Sequence, residues 1–141
     1  MIRLLQRIFR EATDNFFLLE IENILADVAE RNLCARLAIH FTPKLLEYNL
    51  IGYFADPEYN RKQGGLVKTI LEDGENIVRI QCDLIIHSRG RNIVRDNLIA
   101  IEMKKSSRPE DERATDRKRL RAMTMSSYDG VWSADGVTHP E

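Results

Sequence analysis

Two apolar runs that each carry a carboxylate constrain the fold of this chain more than any other feature of its sequence. Residues 77–87 read IVRIQCDLIIH and residues 97–105 read NLIAIEMKK. Both runs are dense in β-branched and leucine residues, and a turn-forming stretch, residues 88–96, separates them, so the pattern predicts two neighbouring antiparallel strands. An unpaired carboxylate is costly to bury. Asp83, inside the first run, therefore requires a partner.

The register of this hairpin predicts which residue that partner is. If the turn is centred between Asn92 and Ile93, facing residues have numbers that sum to 185, and Asp83 faces Glu102. Two adjacent carboxylates repel unless one is protonated or a cation lies between them. Lys104 shares the face of Glu102, with Cα atoms about 6.6 Å apart. By itself, this acid and lysine could equally form a weak surface pair where the strand meets solvent.

Two carboxylates and a lysine are residue types that can support metal-assisted hydrolysis of a phosphodiester. A hard divalent ion, Mg²⁺ or Mn²⁺, prefers carboxylate oxygens. A lysine beside such an ion can orient an attacking water and stabilise negative charge that develops on a phosphate. The constellation therefore predicts metal-assisted phosphodiester hydrolysis.

The rest of the sequence predicts helices on either side of these strands. Residues 15–41 contain neither Pro nor Gly, and their apolar residues recur every three to five positions, which predicts one long amphipathic helix that Thr42 and Pro43 weaken or end. Residues 49–60 predict a further strand. Pro109 suits the start of a second helix, whose acids come first and whose bases come last, as the helix dipole favours. A weak last strand is expected near residues 130–132.

The spacing of the charged residues resembles a known signature. Asp83, then 18 intervening residues, then Glu102-Met103-Lys104 is similar to the motif of the PD-(D/E)XK nuclease superfamily, with Cys82 where that motif has Pro. The predicted order, helix-strand-strand-strand-helix-(strand), resembles the restriction-endonuclease-like core of the superfamily. The resemblance implies an α/β fold with a three- to four-stranded mixed sheet flanked by helices, in one domain over residues 1–141. The last core strand is weak in this chain, so we expect the core to be truncated there or completed by another chain.

Two further acids resemble residues of this superfamily. Glu30 falls within the apolar stripe of the predicted long helix and is similar to a Glu on the first core helix, although a salt bridge to Arg31 or Arg36 would also explain it. Glu58, in DPEYNR, is similar to an acid before Tyr-Asn-Arg in uncharacterised bacterial members, or is an exposed acid at a strand end. The resemblance implies these roles: Asp83, Glu102 and Glu58 as metal ligands, Lys104 as the water-positioning cation, and Glu30 as an auxiliary acid.

The charge balance of the sequence indicates how the protein could bind nucleic acid. The chain has 21 Lys and Arg against 22 Asp and Glu, which argues against a protein that coats nucleic acid by bulk attraction. Residues 104–121, however, hold eight bases against four acids. These bases could contact a phosphate backbone, DNA being the expected substrate, or could form a solvated helix face. The expected nucleic-acid contacts are Lys105, Arg61, Arg113 and Lys118.

Composition also bears on location and leaves several classes of function open. No run approaches the roughly 20 apolar residues of a membrane span, and two cysteines are too few for a disulfide scaffold, so we expect a cytoplasmic protein with no membrane partner. The leading hypothesis is a Mg²⁺- or Mn²⁺-dependent nuclease. The alternatives are a catalytically inactive nuclease-fold module that binds nucleic acid or a protein, and a small interaction protein whose open sheet edge pairs with another subunit, including a homodimer.

Overall fold

The protein has a mixed α/β fold. The computed structural model describes residues 1–59, 69–72, 76–79 and 82–123, with the backbone alone for 69–72, 76–79 and 122. The helices are α1 Ile2–Leu19, α2 Ile21–Leu25, α3 Glu30–Glu47 and α4 Glu110–Ala122, and the strands are β1 Phe54–Pro57, β2 Thr69–Glu72, β3 Asn76–Arg79, β4 Leu84–His87 and β5 Asn97–Ile101.

A hydrophobic core forms where α1 and α3 pack against one face of the main sheet. Residues four apart on α1 share one side of a helix, and α3 and the sheet add residues of the same kind. The core comprises Ile8, Ala12, Phe16, Leu33, Leu37, Ala38, Phe41, Leu45, Leu84 and Ile86. This packing holds the sheet rigidly enough to position the residues at its ends.

The prediction of one long helix over residues 15–41 is wrong, because the chain breaks into α1, α2 and α3. Glu20 ends α1 with its side chain buried, where it accepts hydrogen bonds from Arg36 at 2.8 Å and from Asn23 at 2.9 Å. Asp27, between α2 and α3, has a φ of 57°, a left-handed conformation that helices do not continue through and that Asp tolerates. The ion pair between Glu20 and Arg36, which are distant in the sequence, thus stabilises the end of α1.

Helix α3 also continues beyond its predicted end. Pro43 lies inside it, although an internal proline costs roughly 3 kcal/mol. Phe41 and Leu45, on either side of Pro43, are fully or nearly fully buried. Their burial, at about 1.5–3 kcal/mol for each side chain, offsets the cost of the proline.

The main sheet is three-stranded and antiparallel, in the order β1-β4-β5. Its β4–β5 register pairs Leu84 with Ile101, Ile85 with Ala100, and Ile86 with Ile99, followed by a bulge at His87. The sum of 185 is confirmed in all three pairs. The predicted register therefore holds at the end of the hairpin where Asp83 and Glu102 lie.

Two strand predictions are corrected. The predicted strand over residues 77–87 is two strands, since β3 pairs with β2 in a separate two-stranded sheet while β4 pairs with β1 and β5. A continuous apolar run cannot reveal that its halves pair with different partners. The sequence predicts no strand at β2. β1 is shorter than the predicted residues 49–60, because a turn with positive φ at Asn49 and Gly52 follows α3.

Helix α4 begins after Pro109, as predicted. The expected last strand near residues 130–132 lies outside the described residues. In the part of the chain that the structure describes, no helix is long and apolar enough to cross a membrane.

Candidate active site

The candidate site lies at one end of the β4–β5 hairpin. Asp83 directly precedes β4 and Glu102 directly follows β5, and the register brings their carboxyl groups together. Asp83 Oδ2 accepts a hydrogen bond from the main-chain N–H of Met103 at 2.7 Å. Its main-chain carbonyl accepts another from Glu58 N at 3.1 Å. Main-chain N–H groups of Met103 and Glu58 therefore hold the side chain and the carbonyl of Asp83, respectively.

Among the acids of this site, Glu102 has the most strongly shifted pKa. Its side chain is only 5% exposed. Burial, followed by the charge of Asp83 and a hydrogen bond between the two carboxyl groups, raises the pKa of Glu102 to about 7. At neutral pH the pair therefore readily holds one proton between its members. A cation bound between the two carboxyl groups would favour the loss of that proton.

Three charged side chains, two from α4 and one from the segment after β5, form a series of contacts that leads to Glu102. Arg119 approaches Glu102 at 3.3 Å and Asp116 at 4.0 Å. Lys104 Nζ lies 3.6 Å from Asp116 Oδ2. The ammonium group of Lys104 is therefore held at Asp116, which is linked to Glu102 through Arg119.

Sequence reasoning missed Asp116 and Arg119 as members of the site. Asp116 is buried although it lies on a helix that is otherwise densely charged. Its spacing to Arg119, Leu120 and Met123 places these four residues on one helix face. That stripe of apolar and paired charged residues is the signal that could have identified them.

Glu30 and Glu58 lie at the edge of the site, each in an ion pair. Glu30 occupies the first turn of α3, where the helix dipole favours an acid, and it contacts Arg108 at 3.1 Å rather than Arg31 or Arg36. Glu58, with a φ of 52°, contacts Arg31 at 3.1 Å. Both acids were expected near the site.

The buried thiol of Cys34 lies within electrostatic reach of the four predicted acids. Burial, the largest cause, and the charges of Asp83, Glu30, Glu102 and Glu58 together raise the pKa of Cys34 to about 12. Cys34 Sγ also lies 3.7 Å from Met103 Sδ. Cys34, on α3, therefore lies close to the end of the hairpin, next to the Met103 side chain.

Two carboxylates here have the chemistry to hold a magnesium ion. Across the described ranges no cluster of three or more His, Cys, Asp or Glu side chains has a metal-binding arrangement. Mg²⁺ commonly keeps several waters and binds through one or two carboxylates together with substrate phosphates. Asp83 and Glu102 fit that mode, whereas Glu58 pairs with Arg31.

The expected nucleic-acid contacts occupy different environments. Lys105 Nζ lies 2.7 Å from Asp27 Oδ1, and Arg113 lies 2.9 Å from Glu110. Lys118 is exposed on α4. Arg61 lies outside the described residues.

Comparison of the chain with models of protein families, with curated proteins and with solved structures finds no match.

Proposed function

We propose that this protein is a metal-dependent nuclease of the PD-(D/E)XK type, which hydrolyses phosphodiester bonds of nucleic acid. The observation that supports the proposal is the pairing of the carboxyl groups of Asp83 and Glu102, the latter with a side chain only 5% exposed and two residues before Lys104 in the sequence. Such a pair is unfavourable when both groups are ionised. A divalent cation would relieve the repulsion, and the spacing of the three residues resembles the superfamily motif.

In this proposal each residue has a distinct task. Asp83, fixed by the N–H of Met103, and Glu102 would hold Mg²⁺ or Mn²⁺, which supplies positive charge to a scissile phosphate. Lys104 would orient the attacking water and stabilise the negative charge that develops. Arg119, which contacts Glu102, would keep that carboxylate oriented. Glu30 and Glu58 would act as auxiliary acids.

Thermal unfolding with and without metal tests the ion. We expect millimolar Mg²⁺ or Mn²⁺ to raise the melting temperature of the wild-type protein by several degrees, because binding at 100 times the Kd stabilises by about 2.7 kcal/mol. Glu102→Ala should be no less stable without metal and should respond little to it. Glu22→Ala, at an exposed acid on α2, is the control and should respond like wild type.

Cleavage assays test the reaction. Wild-type protein and Glu22→Ala should cut mixed DNA and RNA substrates only with metal, while Glu102→Ala and Lys104→Ala should cut neither. A Glu102→Ala protein with an unchanged metal response would place the ion elsewhere and refute these roles.

A binding module without turnover is the second candidate. It is favoured by the ion pair that Arg119 makes with Glu102, which already partly neutralises this carboxylate without a metal. Such a module would shift the fluorescence anisotropy of labelled oligonucleotides but would leave them intact with either ion.

A further inference from the structure

The loop that joins β4 to β5 carries positive charge that no nearby acid offsets. Residues 89–95 read RGRNIVR and contain three arginines and no acid. Arg89 lies 2.7 Å from Asp56 of β1, which neutralises it. Arg91 and Arg95 are both exposed, and neither side chain forms an ion pair within the described residues. Their charges are therefore available to an anionic partner.

The basic stretch 104–121, where the sequence predicts nucleic-acid contacts, is largely neutralised by comparison. Bases of this stretch that form an ion pair with an acid are Lys104, Lys105, Arg108, Arg113, Arg117 and Arg119. A base that is already paired must leave its acid before it can contact a phosphate, which weakens its contribution to binding. The β4–β5 loop thus offers charge that this stretch does not.

A network of hydrogen bonds holds the loop in one shape. Ser88 and Asp96, at its two ends, are 2% and 0% exposed, and Ser88 Oγ donates a hydrogen bond to Asp96 Oδ1 at 2.6 Å. The main-chain N–H of Gly90 donates to Asp96 Oδ1 at 2.7 Å, and that of Asn92 donates to Ser88 Oγ at 2.9 Å. Asn92 Oδ1 in turn accepts a hydrogen bond from the N–H of Arg95 at 2.9 Å. Because the loop is already ordered, a partner that binds it loses little affinity to conformational entropy.

The tip of this loop is apolar. Ile93 is 64% exposed and Val94 is 73% exposed, and Arg91 and Arg95 flank them in the sequence. The major groove of B-DNA admits a two-stranded β-ribbon, and it presents apolar thymine methyl groups and base edges between two rows of phosphates. Single strands are bound differently, in grooves lined by aromatic side chains on which bases stack. Residues 89–95 contain no aromatic residue, so the tip fits a duplex better than a single strand.

The loop and the candidate active site lie at opposite ends of the β4–β5 hairpin. Ser88 follows Asp83 by five residues, which in an extended strand is roughly 17 Å. Successive phosphates of one B-form strand are about 3.4 Å apart along the helix axis, so this distance corresponds to about five nucleotides. A single duplex is therefore long enough to reach both the loop and the acids.

We propose that the loop of residues 89–95 is a contact surface for duplex DNA. Arg91 and Arg95 contact phosphates on the two sides of a groove, and Ile93 and Val94 contact the base edges between them. This inference rests on nucleic acid being the substrate, as proposed above, but it does not depend on cleavage.

Fluorescence anisotropy of a labelled DNA duplex tests the arginines. The full chain is titrated in EDTA, so that metal-dependent cleavage does not occur. The double variant Arg91→Gln/Arg95→Gln should raise the Kd about tenfold and make the logarithmic salt slope shallower by about 1–2, because two phosphate contacts are lost. The control, Arg3→Gln/Arg7→Gln, removes two exposed arginines of α1 and should change the Kd far less.

A second pair of variants tests the apolar tip. Ile93→Ser/Val94→Ser should raise the Kd for the duplex and leave the salt slope unchanged, because this double variant removes apolar contacts but no charge. Single-stranded DNA of the same sequence should bind more weakly than the duplex. Equal binding of the single strand would overturn the assignment of a duplex.

Three other results would overturn the inference. They are the absence of duplex binding, a loop variant no weaker than the α1 control, and displacement of the labelled duplex by poly-glutamate as readily as by unlabelled duplex at equal charge. The last would identify the loop as a site for acidic proteins. A wild-type chain that binds duplex through the loop but cuts nothing with Mg²⁺ would refute the nuclease alone, whereas one that cuts without using the loop would refute this inference alone.

Discussion

Glu102 is the residue on which pH should act most directly. Its pKa is raised to about 7 by burial and by Asp83, while in the unfolded chain it titrates near its ordinary value. The folded state therefore binds more protons between these two values, and its stabilising contribution is present at low pH and lost as pH rises toward 7. We expect the metal-free protein to lose about 1–3 kcal/mol of stability from this group between pH 4.5 and 7.5, measured by urea unfolding.

Glu102→Gln is the matched variant for that measurement, because glutamine keeps the shape but does not ionise. The variant should show a flatter pH dependence than wild type over the same interval. If both proteins lose stability with the same slope, the raised pKa of Glu102 is refuted.

Cys34 should be chemically inert in the folded protein. The thiolate is the reactive form, and burial together with four carboxylates raises the pKa of Cys34 to about 12. In a Cys82→Ala background, we expect alkylation at pH 8 to be at least about a hundredfold slower in the native state than in urea. Labelling at the rate of the unfolded chain would contradict the burial of this thiol among acids.

At the scale of elements, Glu20 lies between α1 and α2 and connects them to α3 through its contacts with Arg36 and His40. Hydrogen bonds from Arg36 and His40 are the main causes that lower the pKa of Glu20 to about 2, so its contribution to stability is present above the ordinary pKa and is lost as pH falls toward 2. In urea unfolding at pH 7, Glu20→Gln should have a clearly lower midpoint than wild type because hydrogen bonds to a charged group are lost, whereas Glu22→Gln should keep the wild-type midpoint. If the two variants lose the same amount of stability, the contacts of Glu20 with α3 contribute little to stability.

The elements that could be predicted are those with local determinants. The β4–β5 register follows from a turn and two apolar runs close together in the chain, and it is confirmed. The break between α1 and α3 depends on contacts of Glu20 with Arg36 and His40, which no periodicity in residues 15–41 reveals. The division of residues 77–87 between two sheets likewise depends on distant partners.

The same distinction applies to the candidate site. Asp83, Glu102 and Lys104 belong to one hairpin, so their proximity could be inferred from register and alternation. Asp116 and Arg119 come from α4, whose docking depends on tertiary packing. The pairing of Glu30 with Arg108 is long-range for the same reason.

At the scale of the whole molecule, internal ion pairs limit the charge available to a polyanion. Lys105, Arg108 and Arg119 each contact an acid. If the chain binds nucleic acid as proposed, we expect the binding constant to fall with salt at a logarithmic slope of only about −1 to −3, because few phosphates are neutralised. Fluorescence anisotropy with Glu102→Ala protein, which does not cut, measures the slope. A slope near −6 would mean that these ion pairs open on binding.

Met103 contributes to the molecule in two separable ways. Its main-chain N–H fixes Asp83, whereas its side chain packs against the hydrophobic core on the other side of the sheet. The candidate chemistry therefore requires only a backbone donor at position 103, and the core requires only an apolar side chain of similar volume. Natural or laboratory evolution can accordingly repack the core beneath the carboxylates, with leucine or isoleucine at this position, without altering the charged residues of the candidate site. Proline alone among apolar residues would be excluded for lack of the N–H.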